Sequence, residues 1–324
     1  MIRVKLQLAL AIDCHQHKRL VISGNAYDGK RGLLVSPQNH FRSENLDCLY
    51  HYINIESLIM ILKNKSIRFN SLDKMDDLQE QLSVDKQNFG KFVFVSSWTS
   101  NPEENIPMWK MYTKGNQGVR IKLPVNPFEE YEQDIVELSK IFDAKYQAGD
   151  ENVKMPYNLI VPTAECFGKN YFLCNYASNK QLFKIEYTDN RSLLYPQVLN
   201  LNTENFNVAL SKLGKYKNLY WEFQEEWRYI LMFLPVSVSN MKQELFGGKV
   251  SREMYELQKN IIAGQSCLPF DDYYLTIKEE AFKQMEVTLS PYASESVKTV
   301  VELLVKEYNS DCKIFESKLM NLIS

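Results

Sequence analysis

The 324-residue sequence has no apolar run near the roughly 20 residues that a membrane helix needs. A helical membrane span is therefore not expected. Histidine is scarce, with 4 in the chain, so few bases are on hand for nucleophilic catalysis. No G-x-S-x-G elbow occurs, which removes the serine-hydrolase pattern. The cysteines (Cys14, Cys48, Cys166, Cys174, Cys267 and Cys312) form no C-x-x-C pair. They read as free thiols in a reducing compartment, and a cytoplasmic location is expected. Charge of one sign is also lacking: 38 basic residues face 40 acidic ones, which gives no signal for nucleic acid. Glycine is rare at 12, whereas Tyr and Phe are abundant at 19 and 17, which points to a strand-containing core and an aromatic-walled cleft.

What is present alternates between strand and helix signals. Residues 1–48 read as an N-terminal extension of strands, and Val4, Leu6, Leu8, Leu10 and Ile12 alternate as a strand rather than a signal peptide. Gly24 to Arg31 nearly spells a phosphate loop, but Arg31 replaces the hydroxyl residue and a hairpin turn is the better reading. Cys14, His15 and His17 lack a partner cluster for metal, and no metal is expected. From 49 to 324 one elaborated α+β domain is expected, with an irregular insertion near 146–180. Its fold class is α+β: mixed, mostly antiparallel sheets forming a split β-core with flanking helices. Leu49 to Ile53 is a strand, Asn54 caps a helix to Asn64, and Ser66 to Phe69 is a second strand. The stretch from Lys91 to Pro124 reads strand, loop, short helix (Met108 to Tyr112), turn, strand. Helices are also expected over Pro127 to Phe142 and Thr203 to Leu213, and a strand over Gln181 to Tyr187. Glu226, Arg228, Ile230 and Met232 share one face of a late strand. A β-α-β-α-β series closes the chain.

The acidic group Asp73, Asp76, Asp77 and Glu80 reads first as a solvated helix start, and second as a cation or general-base site.

Several pieces in order carry a resemblance: LYHY at 49–52, SIRF at 66–69, MDDLQE at 75–80, MWKMY at 108–112, GNQGVRI at 115–121, KIEY at 184–187, WEFQEEWR at 221–228 and VTLSPYAS at 287–294. Together they resemble the bacterial family known as domain of unknown function 2971, over roughly Leu49 to Leu319. The family's Asn-Asp-Pro-x-Glu pattern is matched at Asp77 and Glu80 and departed from at Asp76 and Leu78. The resemblance singles out Asp77, Glu80, Trp109, Tyr112, Glu226 and Arg228.

A fold-level similarity to ADP-ribosyltransferases gives the leading functional expectation. In that reading NAD is bound, His51 and Glu226 are catalytic, and Tyr52, Trp109, Tyr112 and Arg228 bind the dinucleotide, with Trp109 or Tyr112 as stacking wall. Asp77 and Glu80 bind or support the substrate. The protein would act on a macromolecular target as a bacterial toxin or antiphage effector, and a homo-oligomer is compatible with it. The alternatives are a ligand-sensing or protein-interaction module without catalysis, in which Glu226 and Arg228 form a structural ion pair, and a metal-dependent phosphodiesterase or nuclease using Asp76, Asp77, Glu80 and Glu226.

Overall fold

The structure is a computed structural model. It describes residues 46–132 (except 86, 114 and 116), 158–175, 181–201, 206–237 and 259–323, with isolated positions at 12–13, 19–20, 134, 137, 140–141 and 256. The Gly24 to Arg31 turn and Cys14, His15 and His17 lie outside the described residues. Of residues 1–45, only the pair β1 (Ile12–Asp13) and β2 (Arg19–Leu20) is described.

Local signals set the next elements. β3 (Cys48–Asn54) ends where the Asn54 side chain accepts from Ser57 N at 2.8 Å and starts α1 (Ile55–Asn64). Leu58, Ile61 and Leu62 bury one face of that helix, and Lys65 in the left-handed region turns the chain into β4 (Ser66–Ser71). β5 (Val93–Thr99) follows. The helix α2 (Ile106–Tyr112) is capped by Asn105, and β6 (Gly118–Pro124) returns antiparallel to β3.

The middle of the chain supplies α3 (Thr163–Cys166), the hairpin β7 (Phe167–Gly168) and β8 (Tyr171–Leu173), then β9 (Leu182–Lys184), β10 (Glu186–Thr188), α4 (Arg191–Leu194) and the hairpin β11 (Leu199–Leu201) and β12 (Phe206–Val208). β13 (Tyr216–Asn218) leads through a 3-10 segment, Leu219–Gln224, into β14 (Glu226–Leu234). The last third gives β15 (Asp272–Thr276), α5 (Glu279–Lys283), β16 (Glu286–Leu289), α6 (Glu295–Tyr308) and β17 (Lys313–Phe315), the expected alternation.

Among the described residues, eleven strands form one sheet, with the path β17-β16-β6-β3-β5-β14-β8-β7 and with β4, β15 and β9 branching from it. Pairing is antiparallel except β16 with β17 and, outside this sheet, β10 with β13. The mixed, mostly antiparallel α+β class is the one the sequence leads to.

The sheet forks at β5. One edge of β5 pairs with β14 along its whole length, from Thr99 opposite Glu226 to Val93 opposite Met232. The other edge is divided. β3 meets it at Thr99 through Tyr50, and β4 meets it at Val95 and Phe94 through Asn70 and Ser71. Between these contacts Ser96, Ser97 and Trp98 face a gap.

The main core runs from Leu49 to Cys312 in sequence and takes residues from both faces of β5 and β14, such as Val93 with Phe94 and Ile230 with Leu231. Phe94, Phe233, Phe270, Tyr171 and Tyr273 interlock there, their contacting rings 5.0 to 5.8 Å apart and mostly edge to face. A separate small cluster joins Tyr52 to Met108 and Trp109 of α2.

Three expectations need correction. Phe128 and Tyr131 make strand-like bridges to Ile277 and Leu159, so the start of the expected 127–142 helix is extended. Tertiary pairing with a distant strand end outweighs the local pattern there. The 203–213 helix is replaced by β12 and a 3-10 turn at Leu210–Lys212, because four apolar residues at that spacing fit either form. The irregular insertion contains ordered structure: Cys166, Phe167 and Phe172 are buried in the core.

Gly118 shows how closely β6 approaches β3. A Cβ there would lie 2.4 Å from the Ile53 carbonyl oxygen and 2.6 Å from Thr113 Cβ. Gly118→Ala should cost roughly 1–3 kcal/mol and lower Tm by about 3–10 °C in a thermal melt; an unchanged Tm would contradict this packing.

Candidate functional site

The fork opens a cleft of about 500 Å³. It is walled by Tyr50, His51 and Tyr52 of β3, Ser66, Ile67, Arg68 and Asn70 of β4, and Val95 to Trp98 of β5. α1 covers it with Ser57, Met60 and Ile61, and α2 adds Met108 and Tyr112. Lys217, Gln224 and Glu226 enter from β13 and the start of β14, and Asp76 and Asp77 from the turn after β4. The volume suits a small-molecule site, and its location between diverging strands follows from the sheet topology.

Register decides which side each side chain takes. Tyr50 stands opposite Thr99, which stands opposite Glu226, so Tyr50, Tyr52 and Glu226 share one face. His51 is one residue on and belongs to the other face, where its ring lies against Trp98 at 4.9 Å. His51 and Glu226 therefore reach one cleft from opposite sides of the sheet. His51 is half-buried, with its ring packed on Trp98. Burial holds the imidazole pKa down to about 4, a backbone hydrogen bond with Ser97 opposing this only in part. His51 is thus neutral near pH 7.

Glu226 belongs to a buried network of four charges. Its Oε1 accepts from Arg228 Nε at 2.5 Å and its Oε2 from Lys217 Nζ at 3.0 Å. Glu80 Oε1 accepts from Arg228 Nη2 at 2.8 Å and lies 3.3 Å from Lys217 Nζ. Burial alone would raise the Glu226 pKa, but Arg228 and then Lys217 hold it at about 2. Burial likewise works against the Arg228 charge, and Glu226 and Glu80 more than reverse this. Two carboxylates and two cations cancel, which makes four nearly buried charges tolerable. Gln224 extends the network: its Oε1 accepts from Lys217 at 2.7 Å and its Nε2 donates to Tyr112 OH at 2.6 Å. Tyr187 OH accepts from Glu226 N at 2.8 Å and fixes the start of β14.

Asn105 ties the far wall together. Its side chain caps α2 at Met108 N, its amide nitrogen Nδ2 donates to Phe223 O at 2.9 Å, and its backbone N donates to Tyr52 OH at 3.1 Å. This short helix is set by the two tyrosine-bearing elements beside it.

The structure gathers His51, Tyr52, Tyr112, Asp77 and Glu226 at the cleft. Arg228 and Glu80 lie behind it as members of the charge network, with Arg228 Nη1 and Glu80 Oε2 buried and without a hydrogen bond. Trp109 is fully buried, edge-on to Tyr52 at 4.8 Å with Nε1 donating to Glu104, so Trp109 supports the wall and Tyr112 is the residue placed to form it. The solvated reading of the acidic segment is corrected for Asp77 and Glu80: both are buried, Glu80 by its cation partners and Asp77 by a turn in which its Oδ1 accepts from Gln79 N. Asp76 stays exposed. Lys217, Gln224, Asn105 and the Ser96–Trp98 edge were not expected. For Gln224 the one available signal was its place two residues before Glu226. Among the described residues no group of three metal-binding side chains converges, and Glu80 and Glu226 are already matched to cations, which disfavours the nuclease arrangement.

Two stability predictions follow from these charges. His51 is neutral in the fold and free to protonate when unfolded, so its contribution is full above about pH 6.5 and is lost as pH falls toward 4. The unfolding free energy from urea titration should drop between pH 7.5 and 5 by on the order of 2 kcal/mol, and His51→Gln should flatten that slope. The Glu226 contribution is separate: it holds above about pH 4.5 and fades toward 2. Arg228→Leu should destabilise by about 3–5 kcal/mol in urea unfolding, since two buried carboxylates would share Lys217; a loss below about 1 kcal/mol would refute the network's role.

Among known proteins, residues 108–229 match the family described as Protein of unknown function (DUF2971). The span includes α2, Lys217, Gln224, Glu226 and Arg228 and omits His51, Asp77 and Glu80, so it supports a narrower stretch than Leu49 to Leu319. No curated protein and no solved structure matches the chain, and the likeness to ADP-ribosyltransferases has no support from them. Over residues 108–229 the chain is similar to the DUF2971 family.

Proposed function

We propose that the chain transfers an ADP-ribosyl group from NAD to a macromolecular acceptor, with the dinucleotide held in the cleft at the β5 fork. The observation that carries this reading is Glu226: a carboxylate kept ionised at the wall of a cleft that also holds His51, Tyr52 and Tyr112. In such a transfer the bond from ribose to nicotinamide breaks and nicotinamide leaves with the electron pair. Positive charge develops on the ribose, and a fixed carboxylate facing it lowers the barrier. A pKa of about 2 suits that role and a hydrogen bond from a ribose hydroxyl, not general-acid catalysis. Glu226 Oε1 is met by Arg228 and Oε2 by Lys217, and a carboxylate oxygen can accept a second hydrogen bond. Neutral His51 would hydrogen-bond the ligand rather than neutralise its phosphates. Tyr112 would offer the stacking face. A role as toxin or antiphage effector belongs to the same proposal.

A second reading is a ligand sensor without catalysis. It is favoured by the engagement of both Glu226 oxygens with Arg228 and Lys217.

Calorimetric titration with NAD, paired with an assay for released nicotinamide, separates the two. Wild type should bind and release; Glu226→Gln should remain folded by circular dichroism and lose roughly 10²–10³-fold in release. His51→Ala should weaken binding. Binding without release would favour the sensor, and absence of NAD binding would remove the transfer reading and leave a sensor of another ligand.

A further inference from the structure

Asp77 is a buried carboxylate with no ion pair among the described residues. It is 6% exposed and lines the cleft beside Lys217, Gln224 and Tyr112. Its Oδ1 is used by the Gln79 backbone at 3.0 Å, while its Oδ2 is buried and has no hydrogen-bond partner. Among the described residues no ion pair reaches Asp77: Lys217 and Arg228 each pair with Glu80 and Glu226, and the remaining guanidinium nitrogen, Arg228 Nη1, makes no hydrogen bond to it. The other cations of the cleft are drawn elsewhere: Arg68 to Asp272 and Lys74 to Asp271 and Asp272. Glu56 and Asp76 add further negative charge to the lining. A buried carboxylate oxygen left bare is costly, on the order of 1–3 kcal/mol or more, and such an atom in a cleft marks where a ligand's donor belongs.

We propose that Asp77 binds a cationic N–H donor, a guanidinium or primary amine, entering the cleft. A cation satisfies both the missing hydrogen bond and the missing charge, whereas a neutral donor satisfies only the first. Tyr112, which lines the same cleft, offers an aromatic face of the kind that guanidinium groups pack on. Resting on the transfer reading above, this assigns the acceptor: a basic side chain of the target. One proton would first pass from its nitrogen to solvent; the freed lone pair would then bond to the ribose carbon as nicotinamide leaves with the electron pair of the broken bond. Asp77 orients that nitrogen and takes no part in bond breaking.

The test uses the full chain and agmatine as the guanidinium probe, with N-butylurea as a neutral carrier of similar N–H donors. In calorimetric titration, wild type should bind agmatine at least about tenfold more tightly than N-butylurea. Asp77→Asn keeps an oxygen for Gln79 N, and should lose agmatine affinity about tenfold or more. Equal binding of the two probes by wild type, or full agmatine affinity in a folded Asp77→Asn protein, would overturn the proposal. The comparison of probes stands on wild type alone should the variant not fold. Agmatine binding that depends on Asp77, with no NAD binding, would sustain this site and reject the transfer reading.

Discussion

A single strand edge serves two strands, and the rest of the site depends on it. β5 gives its end at Thr99 to β3 and its start at Phe94 and Val95 to β4, and the residues between receive neither. Backbone groups without a sheet partner must be met some other way. The His51 ring does part of this through Ser97 and packs on Trp98. The helix α1, which links the two diverging strands, closes the opening from one side. A cleft at this position is thus a product of topology, and it needs no loop to shape it.

The opposite edge of β5 is where the charges sit. β14 follows it without interruption, so Glu226 and Arg228 are fixed on the face shared with Tyr50 and Tyr52. Two cations and two carboxylates taken from β13, β14 and the turn after β4 neutralise one another with little water present. The outcome for Glu226 is specific. It stays ionised, it does not swing, and it faces the cleft. Asp77, three residues before Glu80, is held by the same turn but has no such partner. One short segment therefore gives one acid to the scaffold and one to the cleft.

Much of the framework was legible in the sequence. The Asn54 cap, the apolar spacing of α1 and the alternation along β14 are local signals, and local physics was enough to place them. The one-face grouping of Glu226 and Arg228 was legible for the same reason. Their ion pair was one of two readings, and it is present. The partners of Arg228 were not legible, since Glu80 lies 148 residues away and nothing local in either segment announces the other. The fork was hidden too: each strand could be recognised singly, but the division of an edge between two of them is a tertiary fact. Trp109 looked like a ligand wall because an aromatic in a short amphipathic helix carries the same pattern whether it faces a cleft or a core.

The most direct test of the account is a crystal structure of the protein grown with NAD. The dinucleotide should lie in the fork, between Tyr50–Tyr52 and Ser96–Trp98, with its nicotinamide ribose toward Glu226. Density at another place, such as the surface cleft lined by Lys122, Glu286 and Lys313, or an empty fork at saturating NAD, would contradict it.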